Sequence, residues 1–287
     1  SIEMKRITLV MNCPDQKGII AEVTNFIHSN NGNIVYIDQY VDRVNSIFFM
    51  RVECEIYEDN QSVELFKSTF ESTIGAQFQL KVEIYLNDEF PKMALFVSKY
   101  DHCLYDILAR HQSGELAVHI PFILSNHLDL KSIAERFEIP FYHIPITNEN
   151  KKKAEEKQLQ ILQEHGVDFI VLARYMQIIS GKLIEHFKDK IINIHHSFLP
   201  AFPGAKPYHS AYERGVKIIG ATSHYVTEEL DAGPIIEQNT TNVSHLNSID
   251  DFIAKGRDLE RIVLSKALQL HVARKVMVYK NKTIVFS

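Results

Sequence analysis

Cysteine is scarce. The chain carries three in 287 residues, Cys13, Cys54 and Cys103, widely separated and without a Cys-x-x-Cys pair. Neither a disulfide framework nor a zinc site is expected, and a reducing cytoplasm is the simplest compartment. No apolar run approaches the ~20 residues that cross a bilayer, so no membrane partner is expected. The opening Ser1-Ile2-Glu3-Met4-Lys5-Arg6 lacks the pattern of a secretory signal. The Asn-x-Ser/Thr matches at Asn60, Asn239 and Asn242 therefore carry little weight. Basic charge is not in excess: 31 Lys and Arg face 36 Asp and Glu, a net charge of −5, which argues against a nucleic-acid partner. Internal repeats, low-complexity tracts, a Walker A turn and a Gly-x-Gly-x-x-Gly turn are all missing.

What is present suits a two-domain globular chain. Hydrophobic residues make up 45% of the sequence, and its length fits two domains at roughly 100–200 residues each. Residues 1–86 read as strand, helix, strand, strand, helix, strand. The strands are Ile7–Met11, Asn33–Val41, Ser46–Ile56 and Gln77–Tyr85. The helices are Ile19–Asn30, with Ile20, Val23, Phe26 and Ile27 as its buried stripe, and Ser62–Gly75. This βαββαβ order is ferredoxin-like. The polar, Pro-ended Leu86–Pro91 reads as a linker. From Met93 to Ile236 strands alternate with helices, the pattern of a doubly wound α/β domain over 91–287. Expected strands include Met93–Ser98, Leu116–Leu124, Ile139–Ile144 and Asp168–Ala173. After Ile236 an irregular stretch runs to Asn247. Ser248 reads as an N-cap for a helix to about Ala273, and a hairpin across Asn281-Lys282 closes the chain.

One stretch concentrates polar chemistry at strand ends. In Ile191-Ile192-Asn193-Ile194-His195, the polar residues alternate with apolar ones, so Asn193 and His195 share one side of a strand. Pro200, Pro203, Gly204 and Pro207 follow as a loop. Val216–Val226 reads as a second strand bearing His224, and the loop Thr227–Gly233 carries Asp231. An amide can donate to an oxyanion, an imidazole can give or take a proton near neutral pH, and a carboxylate can activate water. The trio suits attack on a carbonyl carbon. Residue chemistry alone leaves open that the histidine is structural and that Asp231-Ala232-Gly233 is only a turn.

Order and spacing add a resemblance. Asn193-Ile194-His195 with Ser197-Phe198-Leu199-Pro200, then Thr222-Ser223-His224-Tyr225-Val226, then Leu230-Asp231-Ala232-Gly233-Pro234-Ile235-Ile236, resemble the folate-dependent formyltransferase family over about Pro91 to Ile284. The resemblance implies that Asn193, His195 and Asp231 are catalytic. It implies that Met176, Gln177, Ile178 and Ile179 line a pterin slot; His224 is a further candidate for the substrate-binding set, expected to support the site by holding Asp231. His196 replaces the Pro of the transferases. No glycine lies between Met93 and Gln112, where transferases with a phosphorylated acceptor carry a Gly-Ser-Asn turn. Both departures are similar to the hydrolytic branch. That branch converts 10-formyltetrahydrofolate to formate and tetrahydrofolate, supplying formate for purine biosynthesis and balancing the one-carbon pool. Folate would be substrate, with no cofactor and no metal. A transferase to an amine acceptor and a non-catalytic folate or amino-acid sensor remain the alternatives. Cys103 reads as a buried structural residue.

The amino-terminal domain resembles the ACT family, on Asp15-Gln16-Lys17-Gly18-Ile19-Ile20-Ala21 after the first strand. The resemblance implies an amino-acid effector, glycine or methionine, near Asp15, Gln16, Lys17, Gly18 and Ile19, and a homo-oligomer built through these domains. The alternative is a module that only assembles the oligomer.

Overall fold

The computed structural model describes residues 3–58, 62–200 and 206–287. The expectations placed on Asn60, Pro203 and Gly204 lie outside them. The chain divides into two compact units, one up to Phe90 together with Phe286 and Ser287, the other from Pro91 to Val285.

The first unit is a four-stranded antiparallel sheet in the order β2-β3-β1-β4, with helices on one face. Period-two alternation buries Ile7, Leu9, Met11 and Cys13 of β1 (Glu3–Pro14) on that face. The strands β2 (Gly32–Asp42) and β3 (Ile47–Glu58) follow α1 (Ile19–Ser29). The core stripe of α1 is Ile19, Val23 and Ile27, at a spacing of four; Ile20, expected inside, is 41% exposed. The second helix extends further than its hydrophobic pattern suggests. After α2 (Val63–Phe70), a π-helical turn (Glu71–Gly75) and α3 (Ala76–Phe78) carry it on to Gln79, whose left-handed φ of 56° stops it. The last strand, β4 (Lys81–Leu86), therefore starts four residues later than expected. Phe26 packs edge-on against Phe66 and Phe70, with ring centroids 5.2 and 5.1 Å apart.

The second unit is built on a seven-stranded sheet, order β11-β10-β9-β8-β5-β6-β7. Alternation along its central strand β5 (Met93–Val97) divides the core between two faces. Met93, Leu95 and Val97 join one apolar cluster, and Ala94 and Phe96 the other. Both faces are covered by helices, as the run of five fully buried residues requires. From β5 the chain passes through α4 (His102–Gln112), β6 (Ile123–Ser125), α5 (Lys131–Arg136) and β7 (Phe141–His143), which lie to one side of it. It then passes through α6 (Lys151–Glu164), β8 (Phe169–Leu172), α7 (Gly181–His186) and β9 (Ile191–His195) on the other side. These five strands are parallel, and the reversal of strand order falls between β5 and β8, where doubly wound sheets place their sites.

Several boundaries differ from the sequence reading for identifiable reasons. Of Leu116–Leu124 only the last two residues enter β6. Pro121 has no N–H to pair, and upstream only an isolated bridge joins His119 to Lys92. Pro207 does not extend the loop but opens α8 (Pro207–Arg214), where its missing N–H costs nothing. Beyond β10 (Ile218–Tyr225) the chain is not irregular. β11 (Ile235–Asn242) continues to Asn242, polar because it is an edge strand with one open side. Ser248 caps α9 (Ile249–Val272) as expected, in a reciprocal capping box with Asp251. The closing hairpin is β12 (Val276–Tyr279) and β13 (Lys282–Val285). Its turn is Lys280-Asn281, one residue earlier than expected. No helix among the described residues is long and apolar enough to cross a membrane.

Candidate active site

Antiparallel pairing of β9 with β10 assembles the polar residues. Asn193 lies opposite His224 and His195 opposite Thr222. Ile191, Ile192 and Ile194 are buried while Asn193 and His195 are half-buried, so the alternation in sequence becomes two polar side chains on one side of the strand end. His224 is buried, and its Nδ1 lies 2.9 Å from the Tyr225 carbonyl oxygen. Donation there leaves Nε2 as an acceptor. That atom is 3.4 Å from Nδ2 of Asn193, so His224 orients the Asn193 amide. The expected role of His224, holding Asp231, is not what its hydrogen bonds show. Ser223 donates to the Asn193 carbonyl at 2.9 Å and fixes the strand beneath.

Asp231 meets His195 instead, with Oδ1 3.4 Å from Nδ1. Burial lowers the His195 pKa below its ordinary 6.5, the Asp231 charge opposing and His224 and Arg174 adding to the shift. Burial likewise lowers His224, and it lowers His196 to about 4 with help from Arg174. Asp231 occupies a left-handed backbone conformation, φ 55°. Two residues on, Gly233 is pressed against β10. A Cβ there would lie 1.7 Å from the Tyr225 carbonyl oxygen, so only glycine fits. A cavity of about 390 Å³ opens beside Asp231, lined by Leu199, Pro200, Ala232, Ile235 and the hairpin residues Asn281 and Lys282 among others.

The loop after His195 is tied to β10 and β11. Thr222 donates to the Ser197 carbonyl and accepts from the Leu199 N–H, each at 3.0 Å, and Gln238 donates to Thr222 Oγ1 and the Leu199 carbonyl at the same distance. The segment after β8 is held from below. Ser98 Oγ accepts the Met176 N–H at 2.9 Å and donates to Asn126 at 2.6 Å. Met176 and Ile178 are exposed, Gln177 is half-buried and Ile179 is core. This puts two apolar side chains on the surface at the carboxyl end of β8, beside the end of β9.

Sequence reading missed a buried charge cluster next to these residues. Glu260 of α9, fully buried, pairs with Arg174 and accepts from Tyr208 at 2.9 Å; His102 Nε2 lies 3.3 Å away. Arg174 also covers the Tyr100 ring, 4.5 Å from its centroid. Burial would raise the Glu260 carboxyl, but the His102 hydrogen bond and the Arg174 charge outweigh it and hold it at about 2. Gly256, one turn earlier on α9, makes room for Tyr208, whose hydroxyl oxygen would sit 2.1 Å from an added Cβ. The readable signal was a glutamate inside the apolar stripe Gly256, Leu259, Val263, Leu264 and Ala267. Cys103 is buried beside this cluster, and desolvation raises its thiol far from reactivity.

The Asp15–Ile19 turn belongs to the first unit. Ile19 faces the core, and the Gln16 amide is engaged with the carbonyls of Pro14 and Phe78 at 3.1 and 2.9 Å. Asp15, Lys17 and Gly18 are exposed.

Residues 91–268 match the formyl transferase family and residues 7–60 the ACT domain, so fold and site define a formyl transferase unit preceded by an ACT unit. A formyltetrahydrofolate deformylase from Synechocystis sp. is 51% identical over 280 residues, covering 98% of each chain. One from Bacillus subtilis is 42% identical, covering 97% of this chain and 93% of that protein. The crystal structure of a formyltetrahydrofolate deformylase from Pseudomonas syringae pv. tomato superposes with a TM-score of 0.95 at 44% identity, covering 99% of this chain and 95% of that one. The chain belongs to the formyltetrahydrofolate deformylase family.

The charge cluster yields a stability prediction. Glu260→Ala leaves the Arg174 guanidinium buried without its carboxylate, which costs about 3–5 kcal/mol. The folded-state pKa of Glu260 is depressed from its ordinary 4.5. Its contribution is therefore complete above that value and is lost as pH falls towards about 2. Denaturant titration of both proteins should show the full gap at pH 7 and a narrowing gap below pH 4.5. Equal midpoints at pH 7 would contradict the assignment.

Proposed function

We infer that the protein hydrolyses 10-formyltetrahydrofolate to formate and tetrahydrofolate. The observation that carries this reading is the convergence of the Asn193 amide, oriented by His224, with His195 and Asp231, whose side chains approach to 3.4 Å. The exposed apolar Met176 and Ile178 suit the flat face of a pterin, with Gln177 and Ile179 completing that segment. The names of the relatives support the choice of substrate.

Asp231 takes a proton from water as its oxygen bonds to the formyl carbon, and the carbonyl electron pair moves onto oxygen. The free N–H of the Asn193 amide and a ring N–H of His195 donate to that oxyanion. Once Asp231 holds the proton it can donate to His195 Nδ1. This fits the tautomer carrying its N–H on Nε2, available to the oxyanion. Collapse breaks the bond from carbon to N10, and N10 receives the proton that Asp231 took. Water is thus divided between formate and tetrahydrofolate, and the sequence of steps requires no resident cofactor.

Where a transferase would hold a phosphorylated acceptor, the start of α4 presents His102, turned inward onto Glu260. This supports water as the acceptor. We assign formate supply for purine biosynthesis and control of the one-carbon pool to this activity, in a cytoplasmic setting that fits three unpaired cysteines. To the ACT unit we assign assembly into a homo-oligomer and response to a small amino acid, glycine or methionine, at the exposed Asp15-to-Gly18 turn.

Asp231→Asn keeps shape and removes the base, and formate release should fall to near the background rate. Asn193→Ala removes one oxyanion donor and should lower kcat on the order of 10²–10³-fold with folate affinity largely kept. Turnover close to wild type in either variant would break the assignment.

The pH profile tests the state of His195. The mechanism uses the neutral ring, and burial lowers its pKa below 6.5. The neutral form is populated above that lowered value, so kcat should hold as pH falls to 6.5 and decline only below it. An acid limb above 6.5 would show that the neutral His195 is not the species required.

A further inference from the structure

Among the described residues the carboxylate of Asp231 has one side-chain ion-pair partner, His195, and is about one-third exposed. The backbone of the residue therefore shares in setting its position. That backbone is left-handed, φ 55°, a conformation that few non-glycine residues adopt and that aspartate adopts more readily than most, and it lies in a loop without regular structure from Val226 to Pro234. Something outside the loop has to hold it there.

On one side the loop is fastened to β10. Tyr225 N–H donates to the Pro234 carbonyl at 2.9 Å, and Gly233 packs against the Tyr225 carbonyl. On the other side it is fastened by the closing hairpin. The Asn281 amide donates to the carbonyl of Ala232 at 2.9 Å, and Thr283 Oγ1 donates to the carbonyl of Ile235 at 2.5 Å. The Ala232 carbonyl is one residue beyond Asp231. It cannot keep its direction if the Asp231 backbone rotates out of the left-handed well, so a donor on that oxygen restrains the residue before it.

The hairpin is built to place that donor. Lys280 and Asn281 have φ of 47° and 59°, both positive, which makes a two-residue turn of type I′ between β12 and β13. Asparagine tolerates this conformation better than most residues. Asn281 thus forms the turn with its backbone and grips the loop with its side chain. The hairpin lies beyond residue 268, where the formyl transferase match ends. Asn281 and Lys282 border the cavity beside Asp231.

We propose that Asn281, supported by Thr283, is a positioning residue that holds Asp231 in its left-handed pose against His195. The inference rests on the reading of Asp231 as the base. Asn281→Gly is the informative variant, because glycine keeps the positive φ of the turn and removes only the amide. Misplacing a reacting group by about 1 Å costs up to ~10²-fold, so kcat for 10-formyltetrahydrofolate should fall roughly ten- to a hundredfold. KM should stay within about twofold, since neither Met176 nor Ile178 is disturbed, and the thermal midpoint should be unchanged. Thr283→Val, which keeps shape and removes the second donor, should show a smaller loss of the same kind and replaces Asn281→Gly if that protein does not fold. Wild-type kcat in the variant would overturn the proposal, as would a loss of kcat that merely follows a lowered thermal midpoint or a raised KM. Asp231→Asn is measured alongside. If it is inactive while Asn281→Gly is normal, the positioning role alone fails. If Asp231→Asn turns over freely, the reading of Asp231 fails and the inference falls with it.

Discussion

The pairing of β9 with β10 is the constraint on which the site depends. Both strands are largely buried, and their antiparallel register places Asn193 against His224 and His195 against Thr222. A slip of one residue would turn every side chain to the opposite face. The polar groups at this junction consequently have few alternatives. His224 is fixed by a carbonyl and fixes Asn193, Thr222 fixes the loop that follows His195, and Gly233 lets the Asp231 loop close onto the Tyr225 carbonyl. The imidazoles are desolvated as a result, which lowers their pKa values below the ordinary 6.5. Apolar packing on both sides of the sheet thus favours the neutral rings.

The Arg174–Glu260 pair is the second structural decision. A buried ion pair is weak evidence for stability in itself, since desolvation offsets much of the attraction. Here Glu260 also receives Tyr208 and His102, and Arg174 also covers Tyr100, so the remaining polar capacity is used. The cluster joins α9, α8, the start of α4 and the residues after β8. Its location matters for function because the Arg174 charge lowers both His195 and His196, and because His102 points into it rather than toward a ligand.

Local pattern made part of this legible. Asn193 and His195 could be placed on one side of a strand because a period of two needs only adjacent residues. Ser248 could be read as a cap because its partner is three residues away. The family resemblance added the roles, which residue types alone left open. What could not be read depended on distance or on tertiary context. Glu260 is 86 positions from Arg174. β11 is polar and reads as irregular in sequence, since an edge strand need not alternate. Pro207 reads as loop in sequence, although proline also suits the first helical position it takes in α8. The hydrogen bonds of His224 were not legible, because its bond to the Tyr225 carbonyl depends on a ring orientation that no sequence pattern encodes. The turn around Asn281 was legible, but the hydrogen bond of its side chain to Ala232, 49 positions away, was not.

Water, activated beside His195 and Asp231, is the acceptor of the formyl group in the proposed reaction. Single-turnover reaction of the full chain with 10-formyltetrahydrofolate in ¹⁸O-enriched water, without any amine, tests this. Formate should carry one oxygen from the solvent, be produced in step with tetrahydrofolate and be unaffected when glycinamide ribonucleotide is added. Formate that contains no solvent oxygen, or tetrahydrofolate that appears only when an amine is supplied, would contradict it.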